Sequence, residues 1–163
     1  MKRVILAAAA LTSLVVAGLV AAGCALAEGG AAVPPIENAD VTKECGACHM
    51  AYQPEMLPQR SWRVIMADLS NHFGENASLP EATRADIENY LVANAGDAPG
   101  SAQGNRFMRG IPADATPIRI TDTRFWKRGH SEISAADFAK VKSKANCAGC
   151  HTNAAAGVYG EEE

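Results

Sequence analysis

The sequence predicts a mainly α-helical chain folded as two small domains. Three observations carry that prediction. Apolar residues recur at helical spacing behind capping residues, while strand-like alternation is confined to one short run. The pentapeptide Cys45-Gly46-Ala47-Cys48-His49 has a copy near the other end, Cys147-Ala148-Gly149-Cys150-His151. Between the copies, residues 96–105 read Gly-Asp-Ala-Pro-Gly-Ser-Ala-Gln-Gly-Asn, the composition of a linker.

The chain opens Met1-Lys2-Arg3, runs apolar from Val4 to Ala22, and reaches Ala25-Leu26-Ala27, an A-x-A cleavage site. This is the layout of a secretory signal peptide over residues 1–27. A permanent membrane anchor is the competing reading; the run has the length of a short span but is Ala-rich and ends in small residues. Ala22-Gly23-Cys24 also resembles the end of a lipobox, which would leave a lipidated Cys24. Ala21 stands where Leu is usual, so cleavage after Ala27 is favoured and discards Cys24. Residues 28–40 carry two prolines and no periodicity, and read as a mobile lead-in.

The first domain is assigned to 41–95. A short helix from about Asp40 to Ala51 should bear the first motif, with a loop at 53–58 between Pro54 and Pro58. Ser61 fits an N-cap for a helix whose Trp62, Ile65, Leu69 and His72 share one face and which stops at Gly74. Ser78-Leu79-Pro80-Glu81 has the form of a capping box opening a helix to about Asn94. The second domain is assigned to 106–163. In it, Ile118-Arg119-Ile120-Thr121 alternates like an extended segment, and Ser134-Ala135-Ala136-Asp137 opens a helix leading into the second motif. The tail from Thr152 should fray.

Charge and composition exclude some functions. The chain has 163 residues, 15 basic and 18 acidic. Loss of 1–27 removes Lys2 and Arg3 and no acid, leaving 13 basic against 18 acidic residues, a net −5. Nucleic acid is not a partner for such a chain. With 6% aromatic residues, a mature chain this small builds a modest apolar core. Any large apolar cofactor would supply much of the remainder, and the chain without it should fold poorly.

The duplicated pentapeptide supplies that cofactor. C-x-x-C-H is the attachment motif of c-type haem. Cys45 and Cys48, and again Cys147 and Cys150, can form thioethers to the two vinyl groups of a porphyrin. The adjacent His49 or His151 then ligates its iron from the proximal side. The competing reading is zinc held by four thiolates, but zinc does not require a histidine at the same offset twice and is rare in exported chains. The four cysteines outside the signal are used up by two covalently bound haems. The chain has four histidines, and the two outside the motifs, His72 and His130, fall one on each side of the linker. Two haems need two distal ligands, so the expected pairs are His49 with His72 and His151 with His130. Met56, Met66 and Met108 are competing ligands, Met50 is too near His49 to reach round the ring, and crossed pairing between domains stays open. Arg119, Arg124, Lys127 and Arg128 precede His130; they are either a solvated basic face or partners for haem propionates.

Two iron sites closed by histidines point to electron transfer rather than catalysis. The alternatives are a haem enzyme, such as a di-haem peroxidase or reductase with one open iron, and a haem subunit of a membrane-bound complex. A recognisable likeness bears on this choice. Cys-Gly-Ala-Cys-His-Met-Ala-Tyr-Gln-Pro-Glu-Met-Leu-Pro at 45–58 and Ser-Trp-Arg-Val-Ile-Met-Ala-Asp-Leu-Ser-Asn-His-Phe-Gly-Glu-Asn-Ala-Ser-Leu at 61–79 resemble the small di-haem cytochromes c of proteobacteria. Arg-Ile-Thr-Asp-Thr-Arg-Phe-Trp at 119–126 and Ala-Asn-Cys-Ala-Gly-Cys-His-Thr at 145–152 are similar to the same family. The resemblance covers nearly all of the chain after the signal. It implies two cytochrome c-like haem domains, the first like a mono-haem cytochrome c and the second less regular. It implies bis-histidyl low-spin haems in a periplasmic protein with no permanent membrane span. It also implies a membrane cytochrome b as electron donor and a small high-spin, oxygen-binding cytochrome c as acceptor.

Overall fold

The computed structural model describes residues 32–101 and 104–160. The predicted signal peptide and Cys24 lie outside the described residues. Helices make the fold, and among the described residues the only β pairing is an isolated bridge between His72 and Glu75.

The chain enters a π-helical turn at Val41–Cys45, which places the first motif cysteine at its end. A 3-10 turn, Pro54–Met56, then precedes helix α1, Gln59–Ala67. The helix begins two residues before the expected cap. Its N-cap is Pro58, extended at φ −73° and ψ 158°, and Ser61 is buried inside the first turn. The free Gln59 N–H finds its acceptor far along the chain, where Asp97 Oδ1 receives it at 2.7 Å. Asp97 also meets the Arg60 guanidinium at 3.4 Å. Helix α2, Glu81–Ala93, follows Pro80 directly without a side-chain cap, so the Ser78 capping box does not form. Its end at Asn94 agrees with expectation.

The two helices pack around Val41, Leu57, Trp62, Met66, Ile87, Leu91, Ala95 and Ala98. Trp62 buries its ring and donates its indole N–H to the Pro54 carbonyl at 2.8 Å, so its polar end is satisfied. Ala95 and Ala98 belong to this core, and Gly96 N–H donates to the Leu57 carbonyl at 2.9 Å. The start of the 96–105 stretch is therefore packed against the first half.

The second half is made of shorter pieces: α3, Gly104–Met108; α4, Arg124–Gly129; and α5, Ala135–Lys140. Thr123 caps α4 by accepting from Trp126 N–H at 3.2 Å, and Ser134 caps α5 by accepting from Asp137 N–H at 3.2 Å. The alternating run at Ile118 is not a strand. Arg119 is extended, but Ile120–Asp122 closes a 3-10 turn because the Thr123 hydroxyl and N–H both return to the Ile120 carbonyl, at 2.7 and 3.1 Å. A second apolar cluster, Val33, Met56 and Phe107, joins the lead-in, the first half and the second half. The lead-in and the tail are tied together at the same place: Val33 N–H donates to the Gly157 carbonyl at 2.8 Å, and Ala154 is fully buried. Gly157 itself needs to be glycine, since it sits at φ +82° and a Cβ would fall 2.1 Å from the Val33 carbonyl oxygen.

Candidate haem sites

Each motif ends where the backbone leaves its helical turn. In the first, Gly46 closes the π-helical turn, Cys45 is half-buried, and Cys48 and His49 project from the loop beyond. In the second, Cys147–Gly149 forms a single 3-10 turn with Cys147 half-buried and Cys150 exposed. No disulfide joins any of the four. Burial, and for Cys45 also the neighbouring Glu44 carboxylate, pushes the inner thiols, Cys45 and Cys147, above their ordinary pKa.

His72 reaches the first motif by a route that helical spacing does not give. Helix α1 ends at Ala67, a 3-10 turn follows at Leu69–Asn71, and His72 opens a tight hairpin. His72 N–H donates to the Glu75 carbonyl at 2.8 Å and Glu75 N–H returns the bond at 3.1 Å. The reversal needs left-handed backbone at both central residues, Phe73 at φ +56° and Gly74 at φ +101°. His72 is therefore turned out of the stripe of Trp62 and Ile65 and towards His49. The two imidazole centroids lie 6.1 Å apart with ring planes 20° apart.

The second pair assembles from α4. His130 is the residue after the helix, and its Nδ1 meets the Trp126 carbonyl at 2.9 Å. The His130 ring stacks on Trp126 at 4.3 Å, and its centroid is 6.0 Å from that of His151, with planes 89° apart. His49 makes the equivalent bond, Nδ1 to the Met50 carbonyl at 2.7 Å, and stacks on Tyr52 at 5.0 Å. A carbonyl only accepts, so Nδ1 of His49 and of His130 is the donor in these bonds, and Nε2 is the nitrogen left to face an iron. Burial, the His49 ring and the Arg119 guanidinium hold His72 below the usual histidine pKa.

These residues fit a haem. An imidazole nitrogen binds a first-row metal at about 2.0 Å, which puts two rings on opposite sides of one metal with centroids about 6 Å apart. Both observed pairs have that spacing. The second half also needs a covering group. From Arg124 to Asn153 no side chain is buried, although the run includes α4, α5 and the whole second motif. Trp126, Phe138 and His130 gather there with ring centroids 5.7 and 6.4 Å from Phe138, forming a half-exposed aromatic wall over which the Lys144 ammonium lies 5.9 Å from the Trp126 ring centre and 5.2 Å from that of Phe138. A zinc site does not assemble: among the described residues no three His, Cys, Asp or Glu converge. The competing methionines are packing residues. Met66 lies in the first core, Met56 in the second, and Met108 against the second.

The basic residues before His130 divide. Arg119 crosses to the first site, where its guanidinium lies 3.9 Å from the centre of the Phe73 ring and lines a cavity of about 360 Å³ with His72, Ile65 and Val64. Arg124, Lys127 and Arg128 line a separate cavity of about 520 Å³ with Asp122 and Ser131. Sequence reasoning missed Tyr52, Gln53 and Tyr159, which connect the two sites. Their signal is weak: polar or aromatic residues in a proline-flanked loop and in a tail.

Residues 41–159 match the family model described as dihaem cytochrome c. Among solved structures, a dihaem cytochrome c from Rhodobacter sphaeroides is 48% identical, with a TM-score of 0.72 over 77% of this chain and 98% of that one. A dihaem cytochrome c from Shewanella baltica is 42% identical, with a TM-score of 0.59 over 74% of this chain and 85% of that one. A search of curated proteins found no match.

Proposed function

The chain belongs to the dihaem cytochrome c family, and from that premise we propose that it is a periplasmic electron carrier whose two haem irons are each held by two histidines. Two covalently bound c-type haems and an electron-transfer role follow from the family. The finer reading assigns one haem to residues 41–95 and the other to 106–163, joined through 96–105. Cys45 and Cys48 take the thioethers of the first haem, Cys147 and Cys150 those of the second. His49 and His72 ligate one iron, His151 and His130 the other.

The observation that carries this reading is the pairing itself. Each motif histidine is faced, at 6.1 and 6.0 Å, by one of the two histidines that lie outside the motifs. A bound haem supplies a one-electron Fe(III)/Fe(II) couple. The chain's part is to orient its imidazoles, through the Met50 and Trp126 carbonyls at His49 and His130. Two imidazoles on one iron leave no open position for oxygen or a substrate, and the sequence has no fifth histidine to act as acid or base. Imidazole in place of methionine also keeps the potential lower. Family likeness supports a membrane cytochrome b as donor and a small high-spin, oxygen-binding cytochrome c as acceptor. Among the described residues no helix is long and apolar enough to cross a membrane.

Visible, near-infrared and electron paramagnetic resonance spectra of the mature holo-protein test the ligation. Two low-spin bis-imidazole haems that bind no carbon monoxide when reduced are expected. A high-spin fraction, or a methionine-to-iron charge-transfer band, would break the assignment.

A further inference from the structure

The two haem sites are joined by a pair of tyrosines, one from each half. Tyr52 lies three residues beyond the first motif histidine and stacks on His49, with centroids 5.0 Å and planes 18° apart. Its hydroxyl donates across to the Ala145 carbonyl at 2.7 Å. That carbonyl also accepts the Cys147 backbone N–H at 3.0 Å. A carbonyl oxygen has two lone pairs, so both bonds hold at once. One oxygen atom therefore links a ring packed on the first motif to the peptide of the second motif's first cysteine. The reverse link starts from the tail. Tyr159 packs edge-on against His151 at 5.7 Å, and its hydroxyl donates to Gln53 Oε1, next in sequence to Tyr52. Gln53 is fully buried and gives its own Nε2–H to the Ala154 carbonyl at 3.0 Å.

We propose that Tyr52 and Tyr159 are positioning residues that couple the two haems, giving the electron a route of unbroken contact from one site to the other. The inference rests on the haem assignment made above. The step is balanced within the protein: one electron leaves the Fe(II) of one haem and reduces the Fe(III) of the other. No proton moves, no outside oxidant is needed, and the tyrosines are neither oxidised nor ionised. Packing alone does not explain the hydroxyls, since phenylalanine would fill the same ring positions. Nor are they the only bonds that hold the halves together. Arg60 does that elsewhere, donating from Nε to the Ala115 carbonyl at 2.6 Å and from its terminal nitrogen to Pro112 at 2.9 Å, without touching either motif.

The test is the rate of haem-to-haem electron transfer in half-reduced holo-protein after a rapid one-electron pulse. Tyr52→Phe keeps the stack on His49 and removes only the bond to Ala145; Tyr159→Phe removes only the bond to Gln53. Tyr52→Phe is expected to slow the transfer severalfold and the double variant further, with both haems still low-spin. Arg60→Ala is expected to lower stability and leave the rate unchanged. An unchanged rate in the double variant would overturn the inference, as would an equal slowing in Arg60→Ala, which would reduce the tyrosines to scaffolding. Failure of the haem assignment looks different: it appears in the spectrum of the wild-type protein, before any variant is compared, and removes this inference with it.

Discussion

Gln53→Leu removes the polar centre of the contact between the halves while preserving side-chain size. Gln53 is fully buried and has three partners: the Ala154 carbonyl at 3.0 Å, the Ala155 carbonyl at 3.3 Å, and the Tyr159 hydroxyl. Leucine fills similar volume, so a cavity is not the main cost. The cost is a stranded polar group. Ala155 is exposed and water replaces its long bond, and the Ala154 carbonyl still accepts the Gly157 N–H at 2.9 Å, so the half-buried Tyr159 hydroxyl is the group left without a partner. A buried donor or acceptor left without a partner costs about 1–3 kcal/mol, so this one group, half-wet, together with the lost amide bonds gives about 1–2 kcal/mol. That is a large share of a stability of about 5–15 kcal/mol. Urea unfolding of the holo-protein, followed by far-ultraviolet circular dichroism, measures it as a lower midpoint at unchanged slope. A loss under about 0.5 kcal/mol, the range of an ordinary surface change, would refute the idea that this buried amide holds the tail to the first half.

Other substitutions separate the two sites from one another. His72→Ala should convert the haem on Cys45 and Cys48 to a high-spin, carbon monoxide-binding form and leave the other untouched, and His130→Ala should do the same to the haem on Cys147 and Cys150; crossed ligand pairs would instead exchange which haem each variant opens. The ring planes differ by 20° in the first pair and 89° in the second. Near-parallel imidazoles split the iron π orbitals and near-perpendicular ones leave them almost equal, so two distinct low-spin paramagnetic resonance signals are expected, and a single shared signal would contradict the geometry. Asp97→Ala should cost about 1 kcal/mol in thermal or urea unfolding by uncapping α1, and an unchanged midpoint would show that water serves the Gln59 N–H equally well. Protein made without haem attachment should lack a cooperative melt over its second half, because nothing between Arg124 and Asn153 is buried by polypeptide; native-like hydrogen-exchange protection there would count against it.

The two covalently bound haems of the family were legible because their attachment motif is written in local spacing. A cysteine pair and its histidine need only one turn of chain, and four histidines for two irons left little to assign. The path by which His72 arrives was not legible. Its spacing from Trp62, Ile65 and Leu69 is helical, yet the helix ends at Ala67 and the Phe73-Gly74 reversal turns the imidazole out of that stripe. Periodicity cannot see a non-glycine residue adopting positive φ. The cap of α1 was missed for a related reason: its acceptor, Asp97, is 38 residues away, in a stretch whose composition reads as linker. The run at Ile118 alternates like a strand, but Thr123 folds it back with two bonds to one carbonyl.

The asymmetry between the halves has one physical source. The first half has a core of its own, with Trp62, Ile87 and Leu91 buried between α1 and the 13-residue α2. The second has helices of five and six residues and, from Arg124 to Asn153, no buried side chain. Six-residue helices do not persist in water on propensity alone. Their order must come from outside the half, and the structure offers two sources: the aromatic wall that a porphyrin would cover, and the bonds from Tyr52 and Gln53 of the first half. Both converge on the segments that carry His130, Cys147 and His151. The residues that let the second half fold are therefore the ones that fix its haem site relative to the first. On the proposed reading, the contacts that order the second motif also set the coupling between the two haems, while Arg60 adds stability away from both motifs.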